Sequence, residues 1–88
     1  MPLYTYEITS AATRQIRKLA RPVQERIAVR LRRLMEDPRP KDALKLADQD
    51  GLYRIRVGDY RIVYRIVDDV LLVVIVRVGH RGEVYNRL

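Results

Sequence analysis

The feature that most restricts this chain is the period-two alternation that runs through its second half. Leu52–Val57, Tyr60–Val67 and Val70–Val78 each read as a β run, separated by Gly58-Asp59 and Asp68-Asp69. Both dipeptides suit two-residue hairpin turns, so the three runs predict an antiparallel meander. With Gly58-Asp59 as the turn, Val57 faces Tyr60, Arg56 faces Arg61, Ile55 faces Ile62, Arg54 faces Val63 and Tyr53 faces Tyr64. Alternation then gathers Tyr53, Ile55, Val57, Tyr60, Ile62, Tyr64 and Ile66 on one face. The other face receives Arg54, Arg56, Arg61 and Arg65, with Val63 and, from the third run, Leu72, Val74 and Val76.

Upstream the period changes. Leu3–Ile8 alternates around Tyr4, Tyr6 and Ile8 and predicts a short strand, after which Thr9 or Ser10 can cap a helix carrying Ala12, Ile16, Leu19 and Ala20. Pro22, suited to a first helical position, opens a second helix, with an apolar stripe of Val23, Ile27, Leu31, Leu34 and Met35. Asp37-Pro38-Arg39-Pro40 ends it, and a polar loop over 41–50 leads to the meander. The fold class is α+β: a strand, a two-helix hairpin, then a three-stranded meander, with the helices on one face of a four-stranded sheet. One domain over 1–88 accounts for the length. The last stretch, 79–88, reads as a turn or partial helix.

Charge narrows the function. Eighteen Lys and Arg against eleven Asp and Glu give a net charge of +7, which favours polyanionic partners. The chain has no cysteine, which excludes a disulfide framework and thiolate metal sites, and its single histidine, His80, argues against zinc. No cofactor is expected. The first ten residues lack signal-peptide character, and the apolar run Val70–Val76 is too short for a membrane helix, so a cytoplasmic protein with no membrane partner is expected.

Arg56 opposite Arg61 costs stability, about a few tenths to 1 kcal/mol. Arginine stems can lie over an apolar strip with their heads in water. Equally, guanidinium forks suit a phosphate-binding surface. The end of the third run brings His80, Arg81 and Tyr85 to the rim. Arginines with one imidazole and one phenol suffice for phosphodiester cleavage without a metal. The cations stabilise the pentacoordinate phosphate, the imidazole or phenol moves protons, and an aromatic ring can stack on a base.

The run Gly51-Leu52-Tyr53-Arg54-Ile55-Arg56-Val57-Gly58-Asp59-Tyr60-Arg61-Ile62-Val63-Tyr64 resembles the central hairpin of the RelE/ParE toxin superfamily. The ending Val78-Gly79-His80-Arg81-Gly82-Glu83-Val84-Tyr85 resembles the C-terminal motif of its RelE branch. The likeness extends over the chain, through the opening strand, the helical hairpin and Leu44-Lys45-Leu46.

That resemblance implies the toxin of a type II toxin–antitoxin system, a ribosome-dependent endoribonuclease that cuts messenger RNA in the decoding site. The 2′-hydroxyl attacks the adjacent phosphodiester without a metal. Arg54 and Arg56 take the places of two basic residues that grip the RNA, with Arg65 and Lys45 as further RNA-binding candidates. Arg61 matches the arginine that stabilises the transition state, Arg81 the one supporting the leaving 5′-oxygen, and Tyr85 the tyrosine that stacks on or orients substrate. The partners implied are the ribosome, messenger RNA and a cognate antitoxin that wraps the toxin with an acidic or amphipathic segment. The toxin–antitoxin pair can bind operator DNA through the antitoxin.

The sequence departs from the family where Arg54 and Arg56 replace lysines, one of which is placed to move a proton. Arginine stays protonated, so the base is expected to be His80 or Tyr85, with Glu83 as a possible partner for the histidine. Two other readings fit the same surface: a gyrase-poisoning toxin of the ParE branch, and a non-catalytic basic RNA- or ribosome-binding module. The basic helical surface (Arg14, Arg17, Lys18, Arg26, Arg30, Arg32, Arg33) fits a ribosomal-RNA contact and a solvated hairpin alike.

Overall fold

The computed structural model describes residues 3–46 and 51–80. Strand β1 (Thr5–Ile8) leads into helix α1 (Ser10–Arg17) and helix α2 (Arg21–Glu36). The short strand β2 (Leu44–Lys45) then precedes the meander of β3 (Leu52–Val57), β4 (Tyr60–Val67) and β5 (Leu72–His80). The sheet is five-stranded with order β1-β5-β4-β3-β2. β1 runs parallel to β5, and every other neighbour is antiparallel. The α+β class and the helical hairpin on one face agree with the sequence reading.

Local chemistry accounts for the elements. The Thr9 hydroxyl accepts from the Ala12 amide and caps α1. Pro22 falls one residue inside α2, where its missing N–H costs nothing. The α2 stripe buries Ile27, Leu31, Leu34 and Met35 against Ile55, Val57, Ile62, Tyr64, Ile66, Val73, Ile75 and Val78 of the sheet. Tyr64 is fully buried in this core, and its hydroxyl donates to the Pro38 carbonyl at 2.7 Å. Burial pushes its phenol pKa well up. The Gly58-Asp59 turn is as expected, with Val57 opposite Tyr60 and Gly58 at φ +59°, a left-handed conformation that glycine adopts without strain.

Three expectations need correction. The sheet has five strands rather than four, because Leu44 and Lys45, expected in a loop, pair with Arg54 and Tyr53. The β4–β5 connection is not a two-residue turn. Asp68–Val70 form a 3-10 turn and Leu71 takes a left-handed conformation (φ 52°), so the third run starts at Leu72 rather than Val70. The last segment was expected to leave the sheet after Val78, yet β5 continues through Gly79 and His80. Its remainder, with Arg81, Glu83 and Tyr85, lies outside the described residues.

The connection is fastened to the α2 end of the molecule. Asp68 accepts from the Tyr4 hydroxyl at 2.8 Å and pairs with the Arg39 guanidinium at 2.9 Å. Arg39 in turn donates to the Tyr53 hydroxyl and sits 5.5 Å from the centre of its ring. Among the described residues, no helix is long and apolar enough to cross a membrane.

Candidate nucleic-acid interface

The face of the sheet turned away from the helices is built in rows by strand register. Arg56 stands opposite Arg61, and Arg61 opposite Gly79 on β5. In the next row Val63 lies between Arg54 and Arg77, and beyond it Arg65 lies between Leu52 and Val74. Arg54, Arg56, Arg61 and Arg65 thus share one face, as expected. The face is not bare, however. Leu52 and Val63 are buried there and pack with the partly buried Leu46 and Val76, a second small apolar cluster beneath the arginine layer.

Arg77 is the addition that sequence reasoning missed. The β4–β5 register shifts between Val63 and Tyr64: Tyr64 pairs with Ile75 but Val63 pairs with Arg77, leaving Val76 as an extra residue. Such a bulge reverses the alternation of everything that follows it. Strict alternation from Leu72 would turn Arg77 toward the helices and His80 toward the arginines. The bulge exchanges them. β1 has left β5 at this point, and α1 supplies the hydrogen bonds instead. The Thr9 hydroxyl donates to the Val76 carbonyl at 2.8 Å, and the Val78 amide donates to Gln15 Oε1 at 2.7 Å.

His80 consequently pairs with Tyr60, and the two rings meet edge-on with centroids 5.5 Å apart. It lies on the helix side of the sheet, across from Arg61 rather than beside it. Lys45 pairs with Tyr53, which also sets it on the helix face, away from Arg54, Arg56 and Arg65. Among the helix arginines, Arg30 is engaged by the Asp42 carboxylate, whose pKa it holds below the usual carboxylate range. Arg14, Arg17, Lys18, Arg26, Arg32 and Arg33 are exposed.

Arg61 has an unusual environment. Its Nε and one terminal nitrogen (Nη1) are buried and have no hydrogen-bond partner among the described residues. Buried donors of a charged group normally find an acceptor, because leaving one unmade costs about 1–3 kcal/mol. The register supplies no carboxylate near it. Glu7, opposite Val74, is the acidic residue that the described strands set on this face, toward the far end of β5. Gly79 beside Arg61 brings no side chain to fill the space. The arrangement is a cationic, partly desolvated site matched to an anionic oxygen. Among the described residues, no three or more of His, Cys, Asp and Glu gather as metal ligands would.

A family model described as "ParE toxin of type II toxin-antitoxin system, parDE" matches residues 6–85. The chain belongs to the RelE/ParE toxin superfamily. The mRNA interferase toxin RelE of Escherichia coli (strain K12) is 32% identical to this toxin over 87 residues, covering 94% of this chain and 90% of the relative. Among solved structures, the isolated E. coli RelE toxin superposes with a TM-score of 0.78 at 31% identity, covering 96% of this chain and 93% of that one. The archaeal RelE–RelB complex from Pyrococcus horikoshii OT3 gives a TM-score of 0.82 at 26% identity, covering 92% of this chain and 98% of that one. This toxin is therefore of the RelE family, and it shares the fold of toxins solved alone and with their antitoxins.

Proposed function

We propose that this toxin is an endoribonuclease that cleaves messenger RNA in the ribosomal decoding site and thereby stops translation. The observation that carries the reading is Arg61, whose buried N–H groups have no hydrogen-bond partner among the described residues and lie on the side of the sheet where arginines gather. The similarity to a relative named mRNA interferase supports it.

In the proposed reaction the 2′-oxygen forms a bond to the adjacent phosphorus and the bond from phosphorus to the 5′-oxygen breaks, leaving a 2′,3′-cyclic phosphate. The 2′-hydroxyl gives up a proton and the departing 5′-oxygen gains one. Arg61 stabilises the added negative charge on the non-bridging oxygens, and Arg54, Arg56 and Arg65 hold the strand. Arg81 supports the leaving oxygen, and Tyr85 stacks on or orients the substrate. No metal is required. Because His80 packs against Tyr60 on the helix face, the proton-moving role is assigned to Tyr85. Lys45 is left without an RNA-binding role, since it shares a face with Tyr53.

The partners proposed are the ribosome, messenger RNA and a cognate antitoxin. The solved RelE–RelB complex of the same fold supports an antitoxin partner. In the proposed assembly that antitoxin wraps this chain with an acidic or amphipathic segment, and the pair binds operator DNA through it. The cytoplasm is the matching site of action. The exposed helical arginines and lysine outside the Arg30–Asp42 pair are proposed to meet ribosomal RNA.

The test is inducible expression in translating cells, with messenger RNA ends mapped for wild type, Arg61→Ala and Arg81→Ala. New in-frame ends in wild type, lost in both variants, are expected. Growth arrest with intact messenger RNA and DNA-damage signalling would instead support the gyrase-poisoning reading, which the ParE description of the family model favours. Salt-sensitive RNA binding without cyclic-phosphate ends would leave a non-catalytic module.

A further inference from the structure

We infer that Arg77, delivered to the arginine face by the β5 bulge, is a substrate-binding residue that holds a backbone phosphate next to the scissile one. This rests on the nuclease reading of the same face.

The bulge gives Arg77 its position. It pairs with Val63, as Arg54 does from the opposite side, so the two guanidiniums flank one buried valine. Neighbouring strands lie about 4.8 Å apart, which puts the Arg54 and Arg77 backbones roughly 10 Å from each other. Arg61 stands one row along on the strand between them, diagonal to both. Three long cationic side chains thus surround a single apolar spot. Arg61 has two buried donors with no partner among the described residues and takes the reacting phosphate, while Arg77 lies beyond it on the β5 side.

A flanking phosphate fits this arrangement better than an acidic peptide does. A sugar-phosphate strand offers a charge at every residue and bidentate oxygens that match guanidinium forks. The partly buried Val76 and Leu46, packed on Leu52 and Val63, offer an apolar surface for sugar or base edges rather than for a carboxylate. The structure also fixes the position firmly. Thr9 and Gln15 hold the backbone on either side of Arg77, at the Val76 carbonyl and the Val78 amide, so the bulge is built into the α1 contact.

The experiment compares wild type, Arg77→Ala, Arg77→Lys and Arg61→Ala in two assays. One measures cleavage on programmed ribosomes. The other measures binding of a short single-stranded RNA, 2′-O-methylated at the scissile position, as salt is raised. Arg77→Ala should raise KM about tenfold with kcat changed less than about twofold, as expected for loss of uniform binding. Its plot of log affinity against log salt should be shallower by about 0.7, one phosphate contact fewer. Arg77→Lys should restore that slope, which a merely structural role would not produce. Arg61→Ala should lower kcat.

An unchanged KM and salt slope in Arg77→Ala would overturn the assignment, as would a fall in kcat alone or a slope that lysine fails to restore. Unchanged RNA binding with weakened binding of an acidic antitoxin segment would overturn it as well. If wild type cleaves nothing, the nuclease reading fails, and the salt slope still decides whether Arg77 binds an RNA phosphate.

Discussion

Replacing Arg61 by methionine should make this protein more stable while abolishing its activity. Two of the Arg61 nitrogens are buried without partners among the described residues, and Arg56 stands directly opposite. Each unmade hydrogen bond to a buried donor costs about 1–3 kcal/mol, and a like-charged cross-strand pair costs about a few tenths to 1 kcal/mol. The accessible end of the guanidinium recovers part of this through water, so the net relief is about 2 kcal/mol. Methionine keeps the apolar stem beside Val63 and adds no polar atom, so no cavity offsets the gain. For a domain of this size such a change raises Tm by about 8–16 °C. Thermal unfolding followed by far-UV circular dichroism, with urea titration for the free energy, measures it. Inorganic phosphate should narrow the difference, because it stabilises wild type through the site that the variant lacks. A Tm for Arg61→Met equal to or below wild type would refute the reasoning, since Arg61 would then be contributing to the fold rather than costing it.

Thr9→Ala removes a helix cap and leaves the Val76 carbonyl without its donor, so it should cost about 2–4 kcal/mol in urea unfolding while Thr9→Ser stays within about 0.5 kcal/mol of wild type. Asp68 is held below its ordinary carboxylate range first by the Arg39 hydrogen bond and then by that from Tyr4. A depressed folded pKa contributes stability above the unfolded value and loses it as pH falls through the folded one. Asp68→Asn should therefore lower Tm at neutral pH, with the gap closing below about pH 4. His80→Ala should leave the pH profile of cleavage unaltered and its rate within about twofold of wild type, as measured on programmed ribosomes. A flattened limb of that profile would return His80 to the chemistry.

Much of the architecture is legible in the sequence because the signals are local. Gly58-Asp59 fixes a two-residue turn, and from that one point the tyrosines and isoleucines of β3 and β4 set the phase of both strands. The Arg56–Arg61 and Arg54–Val63 pairs follow directly and stand as read. β5 lacks any such phase marker, since Val70 through Val76 are apolar at every position and either face could be the inner one. The bulge that decides the matter is stabilised by Thr9 and Gln15, more than sixty residues earlier in the chain. No window around Val76 carries that information. β2 is hidden for a related reason: two residues joined to the sheet only by pairing with β3 have no periodicity to display. The left-handed Leu71 is a conformation that a leucine rarely chooses locally, imposed by the pairing of Val67 with Leu72.

The bulge also separates the demands of folding from those of binding. The helix face buries the large side chains from Tyr64 to Ile27, and the unfavourable arginine row sits on the other face over a cluster with only Leu52 and Val63 fully engaged. Charge can therefore concentrate there without drawing polar atoms into the main core. One extra residue in β5 does two things at once: it adds a cation to that face and turns the imidazole away, against the Tyr60 ring. Without the bulge the same sequence would set His80 on the arginine face, near Arg61. It would also bury Arg77 toward the helices, where the cost of desolvating an unpaired charge would fall on the core itself.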